Sequence, residues 1–229
     1  MKIAIVMARG GSKRIPEKNI KLMAGKPIIT LAIENIIKTN FFDEIIVSTD
    51  DPNIAKIAMN SGASVPFIRP KNLSDDFSNT IDVMNHSVNY IQGEYENVSL
   101  ISCFYATSIF FNKSDINKAF MLYEKDVNRF VVSAHKIDSR FLRGFSYNNN
   151  ELNCILPKFK DFRTQDLPDI YIDAAQFYMA SPKTWLTKKK LFSKKTAFIE
   201  LDKNSLVDID FPSDWLLAEK VFLKNNEKK

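Results

Sequence analysis

The residues best equipped for chemistry lie near the two ends of the chain. Residues 8–19 read Ala8-Arg9-Gly10-Gly11-Ser12-Lys13-Arg14-Ile15-Pro16-Glu17-Lys18-Asn19. Gly10 and Gly11 let the backbone approach an anion closely, and Ser12 and its neighbours can turn N–H groups toward anionic oxygens. Arg9, Lys13 and Lys18 add positive charge directly after a short apolar run, which favours a polyanion site over the competing reading, a solvated basic turn. The spacing matches neither G-x-x-x-x-G-K-[ST] nor G-x-G-x-x-G, so neither a P-loop nor a dinucleotide fingerprint is present.

The second candidate is Asp208-Ile209-Asp210. In an extended backbone alternate side chains share a side, so both carboxylates would face one point. One or two carboxylates suit Mg²⁺, whose remaining ligands are water and substrate phosphate oxygens. The competing reading makes Asp210 the cap of a helix that begins near Pro212.

Elements must carry these groups to one place. Apolar runs rich in β-branched residues alternate with helical patterns, the signature of an α/β fold with a mostly parallel sheet. Strands are expected at 2–7, 44–49, 64–68, 98–105, 129–135, 171–179 and 196–201. Helices are expected at 27–39, from Asp51-Pro52 to Gly62, at 80–92, at 113–125 and from near Pro212. The loop at 8–19 then sits at the carboxyl end of the first strand, where open α/β sheets bind ligands. Residues 137–169 break the rhythm with Gly144, an asparagine turn at 148–150 and two prolines, and are expected to form a β-hairpin with an irregular excursion.

Composition sets the class. With 229 residues, 45% hydrophobic and 26% charged, the chain reads as one domain spanning 1–229 of an ordinary globular kind. The apolar run at 3–7 is too short for a signal-peptide core, so a cytoplasmic protein without a membrane partner is expected. Cys103 and Cys154 stand far apart without metal-ligand spacing and are expected as free thiols. The net charge of +5 comes from basic residues scattered among 27 acidic ones, with a bias only at Lys188, Lys189 and Lys190 and in the last residues. No nucleic-acid partner is expected from that pattern. His86 and His135 stand alone among apolar neighbours, and Trp185 and Trp215 fall in helical apolar patterns, so all four read as packing residues.

Several segments, in order, resemble the CMP-sugar acid synthetases. The pattern A-R-x-x-S-K-x-x-x-x-K-N is met by Ala8, Arg9, Ser12, Lys13, Lys18 and Asn19, and Val47-Ser48-Thr49-Asp50, the stretch from Arg69-Pro70 through Leu73 to Asp76, and Asp208-Ile209-Asp210 follow the family pattern. The resemblance implies a Rossmann-like sheet of the nucleotide-diphospho-sugar transferase type, flanked by helices, with 137–169 as a β-rich dimerisation arm of a homodimer. It implies that Ala8, Arg9, Gly10, Ser12, Lys13, Asn19, Arg69 and Ser78 bind CTP. By the same resemblance Asp208 and Asp210 hold Mg²⁺, with Mn²⁺ able to substitute, and act with Lys18 in catalysis.

Around the sugar the chain departs from the sialic-acid branch and resembles the pseudaminate branch. Tyr105-Ala106-Thr107, Arg163-Thr164-Gln165-Asp166-Leu167 and Asp173-Ala174-Ala175-Gln176-Phe177-Tyr178 carry that likeness. It implies Tyr105, Thr107, Arg163, Gln165, Asp173, Gln176 and Tyr178 as sugar contacts, and CMP transfer from CTP to a nonulosonic acid with release of pyrophosphate. N-acetylneuraminate, legionaminate and Kdo are the alternative acceptors. A non-catalytic nucleotide- or RNA-binding module is the alternative of a different class.

Overall fold

The computed structural model describes residues 1–203 and 207–227. The chain runs β1 (Lys2–Met7), β2 (Leu22–Met23), β3 (Lys26–Pro27), α1 (Ile28–Thr39), β4 (Glu44–Ser48), α2 (Pro52–Asn60), α3 (Thr80–Glu94), β5 (Leu100–Tyr105), α4 (Lys113–Lys125) and β6 (Val131–Ile137). After β7 (Phe145–Asn148) and β8 (Glu151–Cys154) come β9 (Ile170–Ala180), α5 (Pro182–Thr187), β10 (Ala197–Glu200) and α6 (Pro212–Glu227). Six strands form the main sheet in the order β10-β6-β9-β5-β1-β4, parallel except for β9.

Period-two alternation builds the core. On β1, Ala4 and Val6 face one side of the sheet with Ile29, Ile33 and Ile36 of α1 and Ile116 and Ala119 of α4. Ile3, Ile5 and Met7 face the other, with Met84, Val88 and Ile91 of α3 and Trp185 of α5. Burial on both faces explains why the strand sequences are almost wholly apolar. Local signals fix the helices: Asp51 accepts from the N–H groups of Asn53 and Ile54 ahead of α2, and Asn112 forms a capping box with Asp115 on α4.

The strand expected at 64–68 is not formed. Only single parallel bridges join Ile46 to Ser64 and Thr49 to Ile68. Pro66 lies between them and has no N–H for a ladder. The hairpin expected within 137–169 is present as antiparallel β7 and β8. Asn149 and Asn150, at φ 52° and 63°, give it the two left-handed residues of a type I′ turn.

A third apolar cluster positions the chemistry. Ile15 of the basic loop is fully buried with Val207, Ile209 and Trp215, which binds residues 8–19 to the segment that carries Asp208 and Asp210. This hydrophobic bolt joins two charged segments from opposite ends of the sequence.

Candidate functional site

A cleft of about 400 Å³ opens at the carboxyl ends of β1 and β5. Its lining includes Arg9, Lys18, Asn19, Arg69, Ser78, Tyr105, Thr107, Asp173, Tyr178, Asp208 and Asp210. The structure thus gathers both end segments and the central motif residues at one place.

The cationic wall is held by carboxylates. Arg9 reaches Asp76 at 2.8 Å and donates to the Asp75 carbonyl, and Lys13 reaches the other Asp76 oxygen at 2.5 Å. Lys13, and next Arg9, hold the Asp76 carboxyl below its ordinary pKa. Asn19 Nδ2 donates to the Arg9 carbonyl at 2.8 Å and ties the two ends of the loop. Ala8 is buried beneath the loop, while Gly10, Ser12 and Lys13 lie outside the cleft lining. The Gly10 N–H donates to Asp50 Oδ1 and that of Ser12 to the Gly10 carbonyl, so both donors are turned to protein acceptors. A Cβ on Gly10 would stand 2.7 Å from Asp51 Oδ2, which accounts for glycine there.

Arg69 differs from the other cations. It is only 4% exposed, and neither Nε nor Nη2 finds a hydrogen-bond acceptor among the described residues. Asp50 lies 3.7 Å from Nη2, too far for a hydrogen bond. Burial pulls the Arg69 pKa down, with Asp50 opposing. A buried guanidinium with two open donors at the edge of a cleft, its carboxylate partner 3.7 Å away, has the chemistry to take an anionic group. Ser78, beside it, donates through N–H and Oγ to Asp75 Oδ1.

The acidic pair lies where loop and C-terminal segment join. Lys18 Nζ donates to the Ile209 carbonyl at 2.7 Å and stands 3.6 Å from Asp210 Oδ1, which also pairs with Arg14 at 2.7 Å. Asp210 does not cap α6. Asp214, in the first turn of α6, accepts at Oδ2 from the N–H groups of Asp210 and Phe211 that precede the helix, and Asp210 lines the cleft. Asp208 is solvent-accessible, yet the desolvating cleft and then Asp210 raise its pKa. Among the described residues no group of three His, Cys, Asp or Glu side chains is placed to hold a metal. Two carboxylates that repel each other beside the cations of the loop nevertheless have the chemistry to hold a hydrated Mg²⁺.

The opposite wall stands on strands. Tyr105 Oη lies 2.7 Å from Thr80 Oγ1, and its ring meets Tyr178 edge-on with centroids 5.9 Å apart. Tyr178 Oη donates to Asp173 Oδ2 at 2.6 Å, and the Ala175 N–H donates to Asp173 Oδ1 at 2.9 Å. Burial, ahead of the neighbouring charges, pushes both phenols well above the ordinary tyrosine pKa and keeps them as neutral donors. A bulge in β9 makes this possible. Pairing with β6 shifts from Val132–Tyr178 to Ala134–Asp173, and Ala175 within the bulge takes φ 49°.

Three expected sugar contacts lie elsewhere. Gln176 is buried, with Oε1 accepting from the Phe110 N–H and Nε2 donating to the Ala174 carbonyl, so it braces the cleft floor. Arg163 is exposed and pairs with Asp166 at 2.6 Å, and Gln165 is exposed on the same short turn. Asp75, Asp76, Thr80 and Ala175 line the cleft without having been singled out as contacts; for Asp76 the signal was its place at the end of the Arg69-to-Asp76 motif.

A family model described as cytidylyltransferase matches residues 3–228. The chain belongs to the cytidylyltransferase family. This cytidylyltransferase is 34% identical over 226 residues to a protein named pseudaminic acid cytidylyltransferase from Campylobacter jejuni, covering 98% of this chain and 97% of that one. It is 32% identical to the CMP-N,N'-diacetyllegionaminic acid synthase of Legionella pneumophila, at the same coverage. Its fold is that of a CMP:2-keto-3-deoxy-manno-octonic acid synthetase solved in complex with CTP, with a TM-score of 0.70, 15% identity and full coverage of both chains. The expectation of a mixed α/β sheet of the nucleotidyltransferase type is therefore met.

Proposed function

We propose that this cytidylyltransferase transfers CMP from CTP to the anomeric hydroxyl of a nonulosonic acid, with pseudaminic acid as the acceptor, and releases pyrophosphate. The observation that carries the reading is the division of one cleft into a cationic wall and a Tyr–Asp wall, with Asp208 and Asp210 where they meet. Arg9, Lys18 and Arg69 offset charge on the triphosphate, and Asn19 holds the loop that presents Arg9. The wall of buried Tyr178, half-buried Tyr105 and exposed Asp173 orients the sugar by hydrogen bonds. Asp208 and Asp210 hold Mg²⁺, which when bound polarises the phosphate and acidifies the attacking hydroxyl. No covalent nucleophile is needed.

The legionaminate relative, at nearly equal identity, makes the acceptor the point to test. Incubation with CTP, Mg²⁺ and separate nonulosonic acids, with products weighed by mass spectrometry, is expected to give the highest kcat/KM with pseudaminate. A preference for another acid sinks the sugar assignment; absence of pyrophosphate release with every acid sinks the reaction.

The reading includes a homodimer. Phe141, Phe145, Tyr147, Leu152 and Ile155 on 137–169 expose apolar side chains, which supports an arm packed on a second copy, where Arg163 and Gln165 can serve the partner's cleft. Light scattering on the purified protein is expected to give twice the chain mass, and a monomer would refute this part. A cytoplasmic enzyme is proposed; among the described residues no helix is long and apolar enough to cross a membrane.

A further inference from the structure

The lysines that stood out in the sequence remain unused by the cleft. Lys188, Lys189, Lys190, Lys194 and Lys195 are all exposed and surround a depression of about 420 Å³ between α5 and β10. Among the described residues none of the five forms an ion pair. The whole chain carries +5, so these five lysines equal its entire net charge and the remainder is neutral. Among the described residues these lysines form a cationic pole without ion-pair partners, whereas the cations at the cleft are tied to carboxylates.

The segment that bears them is built. Leu191 packs against the core cluster of Trp185 and Phe130. Thr196 Oγ1 donates to the Leu191 carbonyl at 2.7 Å, and the N–H of Ser193 donates back to Thr196 Oγ1 at 3.0 Å. Phe192 between the two lysine groups points outward, 53% exposed, on an apolar shelf with Tyr171 and Phe198. The segment follows α5 and enters β10, which pairs with β6 from Val131 onward. It therefore lies at the amino ends of the parallel strands, opposite the cleft.

We infer that residues 188–196 are a docking surface for an anionic phospholipid bilayer. Dense lysine charge attracts acidic headgroups, and an exposed aromatic beside it enters the headgroup boundary, without any spanning segment. The alternative polyanion, a nucleic acid, is read by guanidinium forks. Here the only arginine, Arg129, donates through Nη2 to the Leu122 carbonyl. Docking at this pole leaves the cleft open to water at the other. A bilayer contact departs from the sequence-based expectation of no membrane partner.

The test is co-sedimentation of the full protein with vesicles of phosphatidylcholine alone or with added phosphatidylglycerol. Binding is expected only with the anionic lipid, and high salt should release it. The variant Lys188→Gln/Lys189→Gln/Lys190→Gln should bind roughly 100-fold more weakly. Its CTP turnover in solution should match the wild type, which shows that it is folded. Phe192→Ser should weaken the binding that survives at intermediate salt. Equal binding to neutral vesicles, wild-type binding by the triple variant, or tighter binding to a single-stranded oligonucleotide than to anionic vesicles would each overturn the inference.

Discussion

The two walls of the cleft are made by opposite means. The cationic wall hangs on a loop, and its long side chains are tied by partly exposed ion pairs of Arg9 and Lys13 to Asp76. The Tyr–Asp wall rises from β5 and β9, with Tyr178 buried, Tyr105 half-buried and both hydroxyls hydrogen-bonded. Exposed ion pairs contribute at most about 1 kcal/mol and are re-formed easily with a new anion. A part-buried network fixed on strands has less freedom, because a broken bond there leaves a polar atom with poorer access to water. The first wall is suited to accept a triphosphate by exchanging partners, and the second to select a sugar by fixed geometry.

The sharpest way to break this contrast is at the junction. Asp210→Asn removes a charge from the proposed metal pair, and kcat is expected to fall by about 100-fold or more, the loss seen when a single transition-state contact is deleted. Thermal stability should barely move, since the pair with Arg14 is partly exposed. Steady-state kinetics beside a melting curve check both parts, and retained activity would remove Asp210 from the metal site.

On the fixed wall, Asp173→Asn should matter mostly to the sugar. Both Asp173 oxygens accept hydrogen bonds, and an amide can replace only one of them, so the Tyr178 hydroxyl or the Ala175 N–H loses its acceptor. KM for the sugar is expected to rise about tenfold, toward the low end of the roughly 1–3 kcal/mol for an unsatisfied donor because these donors are only partly buried, while KM for CTP changes less than twofold. Equal losses for both substrates would mean that the two walls do not divide the work.

What the sequence disclosed follows the same division. The cationic loop was legible because glycines and basic residues are packed into one short stretch, and the strand before it is apolar throughout. Asp208-x-Asp210 was legible as a type, but that Asp210 lines the cleft and pairs with Arg14 had to be seen in the structure. The β9 wall was legible only in part. A motif gives the order of Asp173, Gln176 and Tyr178, but the bulge decides which of them face the cleft, and it turned Gln176 inward to Phe110. The strand expected at 64–68 failed for a local reason, Pro66, present in the sequence but outweighed by the β-branched residues around it.

The loop wall also predicts a gain. Asp76→Asn frees Arg9 and Lys13 from their present partner, and if those pairs are exchanged for phosphate on binding, CTP should no longer have to displace them. Because such pairs are weak, KM for CTP is expected to fall by only two- to fivefold. A rise in KM would instead place Asp76 among the groups that hold the nucleotide complex, and the loop would not be a simple exchange surface.

The smallest effect tests the rigidity of the other wall. Ala175 holds φ 49°, a region that costs a residue with a Cβ about 1–2 kcal/mol and glycine almost nothing. Ala175→Gly relieves that strain but gives back part of it as extra freedom in the unfolded chain, leaving a net gain of about 0.5–1 kcal/mol. For a domain of this size the melting temperature should rise by about 1–4 °C. Sugar KM should stay within twofold, because the N–H that Ala175 gives to Asp173 is a backbone group and survives the change. If the variant melts lower, the bulge is held by packing of the Ala175 methyl and not merely tolerated around it, and the fixed wall owes its shape to that side chain.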